Sequence, residues 1–160
     1  MNKILSVEQA TQIANELNRK GKSIVLTGGC FDILHIGHIE YLKNAKKKGD
    51  VLFVFLESDE NIKKLKGKNR PINTQHDRAA ILEKLEMIDY IIPLPPIKNN
   101  KDYDNLVISL RPAIIAITKG DSNLNTRKRQ AALIGARVVE VTSQISNQST
   151  TKLVNMLKEI

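Results

Sequence analysis

The sequence is poor in the residues that several classes of function require. One cysteine, Cys30, among 160 residues excludes an internal disulfide framework and an all-cysteine metal site, and it fits a reducing, cytoplasmic setting. Tryptophan is absent, and three Phe with three Tyr supply few platforms for stacking single-stranded bases, so no stable nucleic-acid complex is expected. The longest apolar runs, Val51 to Leu56 and Ala113 to Ile117, fall far short of the roughly 20 residues that span a bilayer, and no membrane segment is expected. The opening stretch MNKILSVEQATQIANEL turns amphipathic too early for a secretory signal and reads as folded structure. Acidic residues are also in deficit, and the net charge of +8 points to anionic partners.

What is present suffices for one core. At 41% apolar content, a single domain over residues 1–160 is expected. Ser6 stands where it would cap a helix carrying Val7, Ala10, Ile13, Ala14 and Leu17, and Gly21 would end it. Short apolar strands then alternate with helical patterns. Strands are predicted at 23–27, 51–57, 90–94, 113–118 and 137–141, and helices at 36–48, 75–86, 103–110, 127–134 and 150–158. Continuous apolar strands joined by helices imply an α/β fold, a Rossmann-like, doubly wound, five-stranded parallel sheet. Such sheets bind ligands at their carboxyl edge.

The stretch TGGCFDILHIGH, residues 27 to 38, carries the most chemical information. Gly28 and Gly29 follow a strand, where the lack of a side chain lets backbone N–H groups approach a phosphate, and the helix after them presents its positive end. His35 and His38 lie three apart on one face of that helix, with Gly37 expected to leave the space between their rings open for a phosphate chain. A zinc site would need a third ligand, and His76 has no suitable spacing to the pair. The dinucleotide fingerprint lacks its third glycine, and no Gly-Lys-Ser/Thr follows for a P-loop.

The segment GGCFDILHIGH resembles the HxGH motif of the cytidylyltransferase-like nucleotidyltransferases, and LKGKNRPIN, Arg78, TKGD and STTK follow in that family's order. Among its branches the sequence is most similar to the adenylyltransferase domain of ADP-heptose synthase, and next to the glycerol-3-phosphate cytidylyltransferases. In the second branch, Gln144 would be arginine and Gln148 a small apolar residue. The resemblance implies transfer of an NMP, AMP from ATP in the leading reading, to a phosphorylated sugar such as a heptose 1-phosphate, with pyrophosphate released. Cytidylyl transfer from CTP to glycerol 3-phosphate or another phosphorylated polyol is the alternative. The net positive charge also supports a reading of another class, a non-catalytic nucleotide- or RNA-binding module.

Under the resemblance, His35 and His38 hold the triphosphate, and Lys64 and Lys66, on an expected basic loop between Lys63 and Arg70, join them as catalytic groups. Gly28, Gly29, Cys30 and Phe31 form the nucleotide turn, Cys30 as a small packing residue. Lys119, Gly120 and Asp121 face the ribose or base, and Ser149, Thr150 and Thr151 offer hydroxyls before the last helix. Arg70 and Arg78 are expected at the acceptor phosphate, Arg78 as a bidentate fork on a helix, with an ordinary exposed helical arginine as the alternative. Mg²⁺ is the implied cofactor, with Asp32 either an indirect ligand or a residue that holds its own turn. A homodimer is also implied.

Overall fold

The computed structural model describes residues 2–142 and 149–158. The chain runs α1 (Val7–Arg19), β1 (Ile24–Gly29), α2 (Ile36–Lys46), β2 (Val51–Leu56), α3 (Asp59–Lys66), α4 (Gln75–Glu83), β3 (Tyr90–Pro93), α5 (Asn100–Leu110), β4 (Ile114–Thr118), α6 (Leu124–Ile134), β5 (Arg137–Thr142) and α7 (Thr150–Lys158). The five strands pair in parallel in the order β3-β2-β1-β4-β5, as the alternation of strand and helix predicts. Winding reverses beside β1, so β1 and β4 diverge at their carboxyl ends and leave the crevice where ligands of such sheets sit.

Strand burial explains the continuous apolar runs. Val25, Leu52, Val54 and Ile91 face one core with Tyr41, Leu42 and Ala45 of α2 and Ala79 and Leu82 of α4. Ile24, Leu26, Phe53, Ile115 and Ile117 face the other, with Ala10 and Ala14 of α1, Val107 and Leu110 of α5, and Ala131 of α6. Neighbouring residues of a strand therefore enter opposite cores. Gly49, before β2, is required by close packing, because a Cβ there would lie 2.7 Å from Val25 Cγ2 and 3.0 Å from the Ser23 carbonyl.

Local signals set most helix starts. Ser6 and Gln9 form a reciprocal capping box at α1. Asn99 caps α5, which begins at Asn100, three residues before the predicted start at Tyr103, and α6 begins at Leu124 instead of Arg127. The main difference is α3. The segment expected as a basic loop is helical through Lys66 and ends at Gly67, whose φ of +99° favours glycine. Ser58 caps it, Asp59 and Glu60 occupy its first turn, and Lys63, Lys64 and Lys66 its last, an arrangement that complements the helix dipole. The Lys run is less self-repelling than it looks alone, since Lys64 pairs with Glu60 one turn earlier at 2.6 Å.

Among the described residues, no helix is long and apolar enough to cross a membrane. Gln144 and Gln148 lie outside the described residues.

Candidate active site

The carboxyl edge of the sheet gathers the predicted residues around the turn after β1. A Cβ on Gly28 would sit in ordinary contact with Phe55 at 3.4 Å, whereas a Cβ on Gly29 would crowd the Phe31 ring at 3.0 Å. Phe31 itself has φ +46° and only 4% exposure. Its ring packs in the core and backs His38, with centroids 5.3 Å apart, so its expected nucleotide contact is left to the backbone alone.

His35 is the N-cap of α2, and its Nδ1 accepts the Gly37 N–H at 3.2 Å. In the neutral ring the proton is then on Nε2, which makes that atom a donor. His38 stacks on His35, with centroids 3.9 Å apart and planes 30° apart. The gap expected over Gly37 is therefore closed: stacking brings both rings to one spot, and a phosphate meets their edges instead of passing between them. Burial holds the His35 imidazole below its ordinary pKa. For His38, burial first, then the neighbouring His35 and Lys66, pushes the value down to about 4. Both rings are neutral donors near pH 7, and an incoming anion would favour their protonated forms. The buried His38 Nδ1 has no partner among the described residues.

The start of α7 reaches the same turn. Thr150 donates its hydroxyl to the Ile33 carbonyl at 3.1 Å and is buried, while Ser149 accepts the Lys152 N–H as a cap and Thr151 is exposed. Two helix N-termini, those of α2 and α7, thus meet beside two imidazoles, a favourable place for a polyphosphate. Lys66 is exposed but lies near enough for its charge to act on His38 and Cys30. Lys64 points to a neighbouring compartment and is paired to Glu60. Cys30 is half-buried, and burial pushes its thiol up, consistent with packing instead of nucleophilic use.

One expected ligand contact is corrected, and a second residue takes a structural role. Arg78 is no exposed fork: it is 1% exposed and donates to the carbonyls of Cys30 (2.5 Å), Glu57 (2.9 Å) and Asn73 (3.1 Å) and to Asp59 (2.7 Å). It joins the ends of β1 and β2 to the starts of α3 and α4, and is not available to an acceptor phosphate. Asp32 takes the second of its two expected roles and holds its turn. Its carboxylate accepts from the Ile72 and Asn73 N–H groups and from Arg70 Nε, and it is 2% exposed. Burial alone would raise its pKa, but these donors outweigh it and hold the carboxyl below its ordinary value. Arg70 is buried on Asp32 at 2.7 Å, and its Nη2 has no partner among the described residues.

Lys119 and Gly120 form an exposed turn after β4, and Asp121 alone of that trio lines the crevice between β1 and β4. This crevice, of about 220 Å³, has Gly28, Gly29 and Cys30 on one side and Tyr103, Asn123 and Arg127 on the other, residues missed in the sequence because α5 and α6 bring them together only on folding. Glu57 also lines it, accepting from the Tyr103 hydroxyl, from Asn61 and from the Ser58 N–H. At its floor the Tyr41 hydroxyl bonds to Thr27 and donates to the Ala116 carbonyl at 2.8 Å.

Comparison with known proteins agrees with this layout. The cytidylyltransferase-like family model matches residues 26–158. The bifunctional protein HldE of Campylobacter fetus subsp. fetus is 40% identical over 156 residues, covering 98% of this chain and 31% of that protein. HldE of Aliarcobacter butzleri is 52% identical over 89 residues, 56% of this chain and 19% of that protein. The chain thus spans a third or less of the length of these relatives. The crystal structure of the lipopolysaccharide core biosynthesis protein from Thermoplasma volcanium GSS1 superposes with a TM-score of 0.60 at 29% identity, over 77% of this chain and 96% of that one. Pantoate-beta-alanine ligase from Francisella tularensis, at 18% identity and TM-score 0.63 over 100% of this chain and 79% of that one, shares the fold. The family model begins in β1 and spans the histidine turn, Lys66, Asp121 and the start of α7, and the chain belongs to the cytidylyltransferase-like family.

Proposed function

We propose that the chain is a nucleotidyltransferase that moves AMP from ATP to a phosphorylated sugar of the heptose 1-phosphate type and releases pyrophosphate. The observation that carries this reading is the stacked His35–His38 pair at the start of α2, joined by the Thr150–Ile33 bond to the start of α7. Four fixed donors for one polyphosphate, two rings and two helix ends, suit stabilisation of a leaving pyrophosphate better than they suit any group needing a base.

The acceptor phosphate is already an anionic nucleophile, so the chain needs no covalent intermediate. It must align two anions and offset their repulsion. His35 Nε2–H and the solvent-facing edge of His38 hold the phosphates as pyrophosphate separates, and Lys66 adds positive charge beside them. The glycine turn admits the α-phosphate close to the backbone. Lys64 and Arg70 are assigned to the acceptor side, Arg70 through its unpartnered Nη2.

Mg²⁺ enters this reading as an ion carried by the triphosphate. Among the described residues, no cluster of three His, Cys, Asp or Glu side chains could hold it, and the Asp32 oxygens are already occupied. The resemblance to the adenylyltransferase domain of ADP-heptose synthase motivates the sugar acceptor. A matrix of ATP, CTP, GTP and UTP against heptose 1-phosphate and glycerol 3-phosphate, read by pyrophosphate release, tests it. Release requiring ATP and heptose 1-phosphate together supports the reading, release with CTP and glycerol 3-phosphate replaces the substrates, and no release in any well removes the activity.

A further inference from the structure

The charge run Lys46 to Lys48 lies at the end of the sheet opposite the candidate active site. In a parallel sheet each strand starts where the preceding helix stops, so the amino edge collects the ends of α1, α2, α5 and α6. Backbone bonds tie these strand starts into one row: the Asp50 N–H donates to the Ser23 carbonyl, that of Ala113 to Ile24, and that of Arg137 to Ala113. Neighbouring strands lie about 4.8 Å apart, so β2, β1, β4 and β5 open within about 15 Å of one another.

Along this row the charge is mostly of one sign. Arg19, Lys20 and Lys22 come from the turn between α1 and β1, and Lys46, Lys47 and Lys48 from the end of α2. Arg111 caps α5, and Arg137 opens β5. Carboxylates answer two of these cations: Lys22 pairs with Asp50 at 3.5 Å and Lys46 with Asp89 at 2.6 Å. Lys20, Lys47, Lys48, Arg111 and Arg137 are exposed, and their side chains have no ion pair or hydrogen bond among the described residues. A helix end carries about half a negative charge, so four ends offset about two cations and leave an excess facing solvent. Arg19 and Arg111 also border a hollow of about 810 Å³ with Asn15 and Asn18. Arg111 stands there at φ +46°, a helix-ending conformation in which glycine is the cheaper residue.

We propose that the amino edge is a docking face for an anionic lipid bilayer, with the hollow between Arg19 and Arg111 taking a lipid phosphate. A row of point charges along one edge fits a flat charged surface better than a nucleic-acid strand. None of the Phe and Tyr side chains is exposed, so bases find no ring to stack on. An acidic protein partner would need an apolar centre to its interface, and none of the exposed large apolar side chains belongs to these turns. The contact is peripheral, since no helix among the described residues is long and apolar enough to cross a membrane. It needs no transfer activity, and it leaves the crevice at the carboxyl edge open to solvent.

The test is co-sedimentation of the chain with vesicles of phosphatidylcholine alone and of phosphatidylcholine mixed with phosphatidylglycerol, at low and high salt. Binding is expected only to the mixed vesicles, and high salt should abolish it by shortening the reach of the charges. One basic residue near such a surface is worth about fivefold in affinity, so Lys47→Gln with Lys48→Gln should weaken binding about 25-fold and Arg111→Gly about fivefold. Urea midpoints should not fall, and Arg111→Gly, which relieves the left-handed position, should raise its own. Lys98→Gln with Lys128→Gln, the same loss of net charge at exposed sites outside the row, should leave vesicle binding nearly unchanged. Absence of binding to the mixed vesicles at low salt overturns the proposal, as do equal losses in the two double variants. Tighter binding to a mixed-sequence RNA than to the mixed vesicles overturns it in favour of nucleic acid. Unchanged binding in Arg111→Gly overturns the phosphate seat.

Discussion

Replacing Arg78 with leucine should destabilise the fold severely, because this guanidinium is a buried cross-brace. Its four hydrogen bonds reach three backbone carbonyls and one carboxylate in three separate stretches of the chain. Leucine removes every donor and leaves the Cys30, Glu57 and Asn73 carbonyls to find other partners. A buried acceptor without a bond costs about 1–3 kcal/mol. Some of these carbonyls will gain water as the cavity opens, and Asp59, at 37% side-chain exposure, is resolvated cheaply. A net loss of about 3–5 kcal/mol follows, the range for breaking a buried charge pair. Urea unfolding at pH 7 measures it through the midpoint, provided the slope is unchanged. Arg78→Lys, which keeps the charge but not the fork, should fall between the two proteins. A loss below about 1 kcal/mol, within the range of ordinary surface changes, would refute the brace. A stable Arg78→Leu protein with a raised acceptor KM alone would return Arg78 to the acceptor phosphate.

Other consequences concern pH, packing and the Asp32 clasp. His38 should make the fold less stable in acid: its depressed folded pKa stabilises the protein fully above its ordinary value of 6.5, and that stability is lost as pH falls through about 4. At about 1.36 kcal/mol per pH unit the loss is at most about 3 kcal/mol, and His38→Gln should flatten this limb in urea midpoints measured from pH 7 to 4. An unaltered limb in His38→Gln would contradict the assignment. Asp32→Asn should cost roughly 3–5 kcal/mol by leaving Arg70 buried without its counter-charge, read again by urea midpoint, and a loss near zero would deny the clasp. Gly49→Ala should cost about 1–3 kcal/mol through its contacts at 2.7 and 3.0 Å, whereas Gly28→Ala, whose nearest contacts are 3.4 Å, should cost much less in thermal melting.

The sheet was legible because the parallel strands face apolar cores on both sides and so read as unbroken runs such as Val51 to Leu56. The phosphate turn was legible for a related reason: its glycines, histidines and helix start are contiguous. The i,i+3 spacing of His35 and His38 placed them on one face, but spacing carries no ring orientation, and the stacking that closes the gap emerged only with side-chain packing against Phe31. The positive end of helix α3 alone reads as a loop, because the cap and acids that stabilise the helix lie just upstream, at Ser58 to Glu60. The place of Arg78, and the choice between the two roles of Asp32, are hidden in the sequence for one reason. Their partners, Cys30 and Glu57 for the first and Ile72 and Asn73 for the second, are mostly backbone atoms, which any residue type supplies and no residue type announces. The crevice residues Glu57, Tyr103, Asn123 and Arg127 come from three separated stretches, with no spacing to mark them.

The most direct measurement compares pyrophosphate release by the unaltered protein, His35→Ala and His38→Ala, with ATP and heptose 1-phosphate supplied together and alone. The account predicts release that needs both substrates and falls by roughly a hundredfold or more in each variant, the scale of removing one preorganised donor from a transition state, while circular dichroism stays native. Release at the unaltered rate from either folded variant would contradict it.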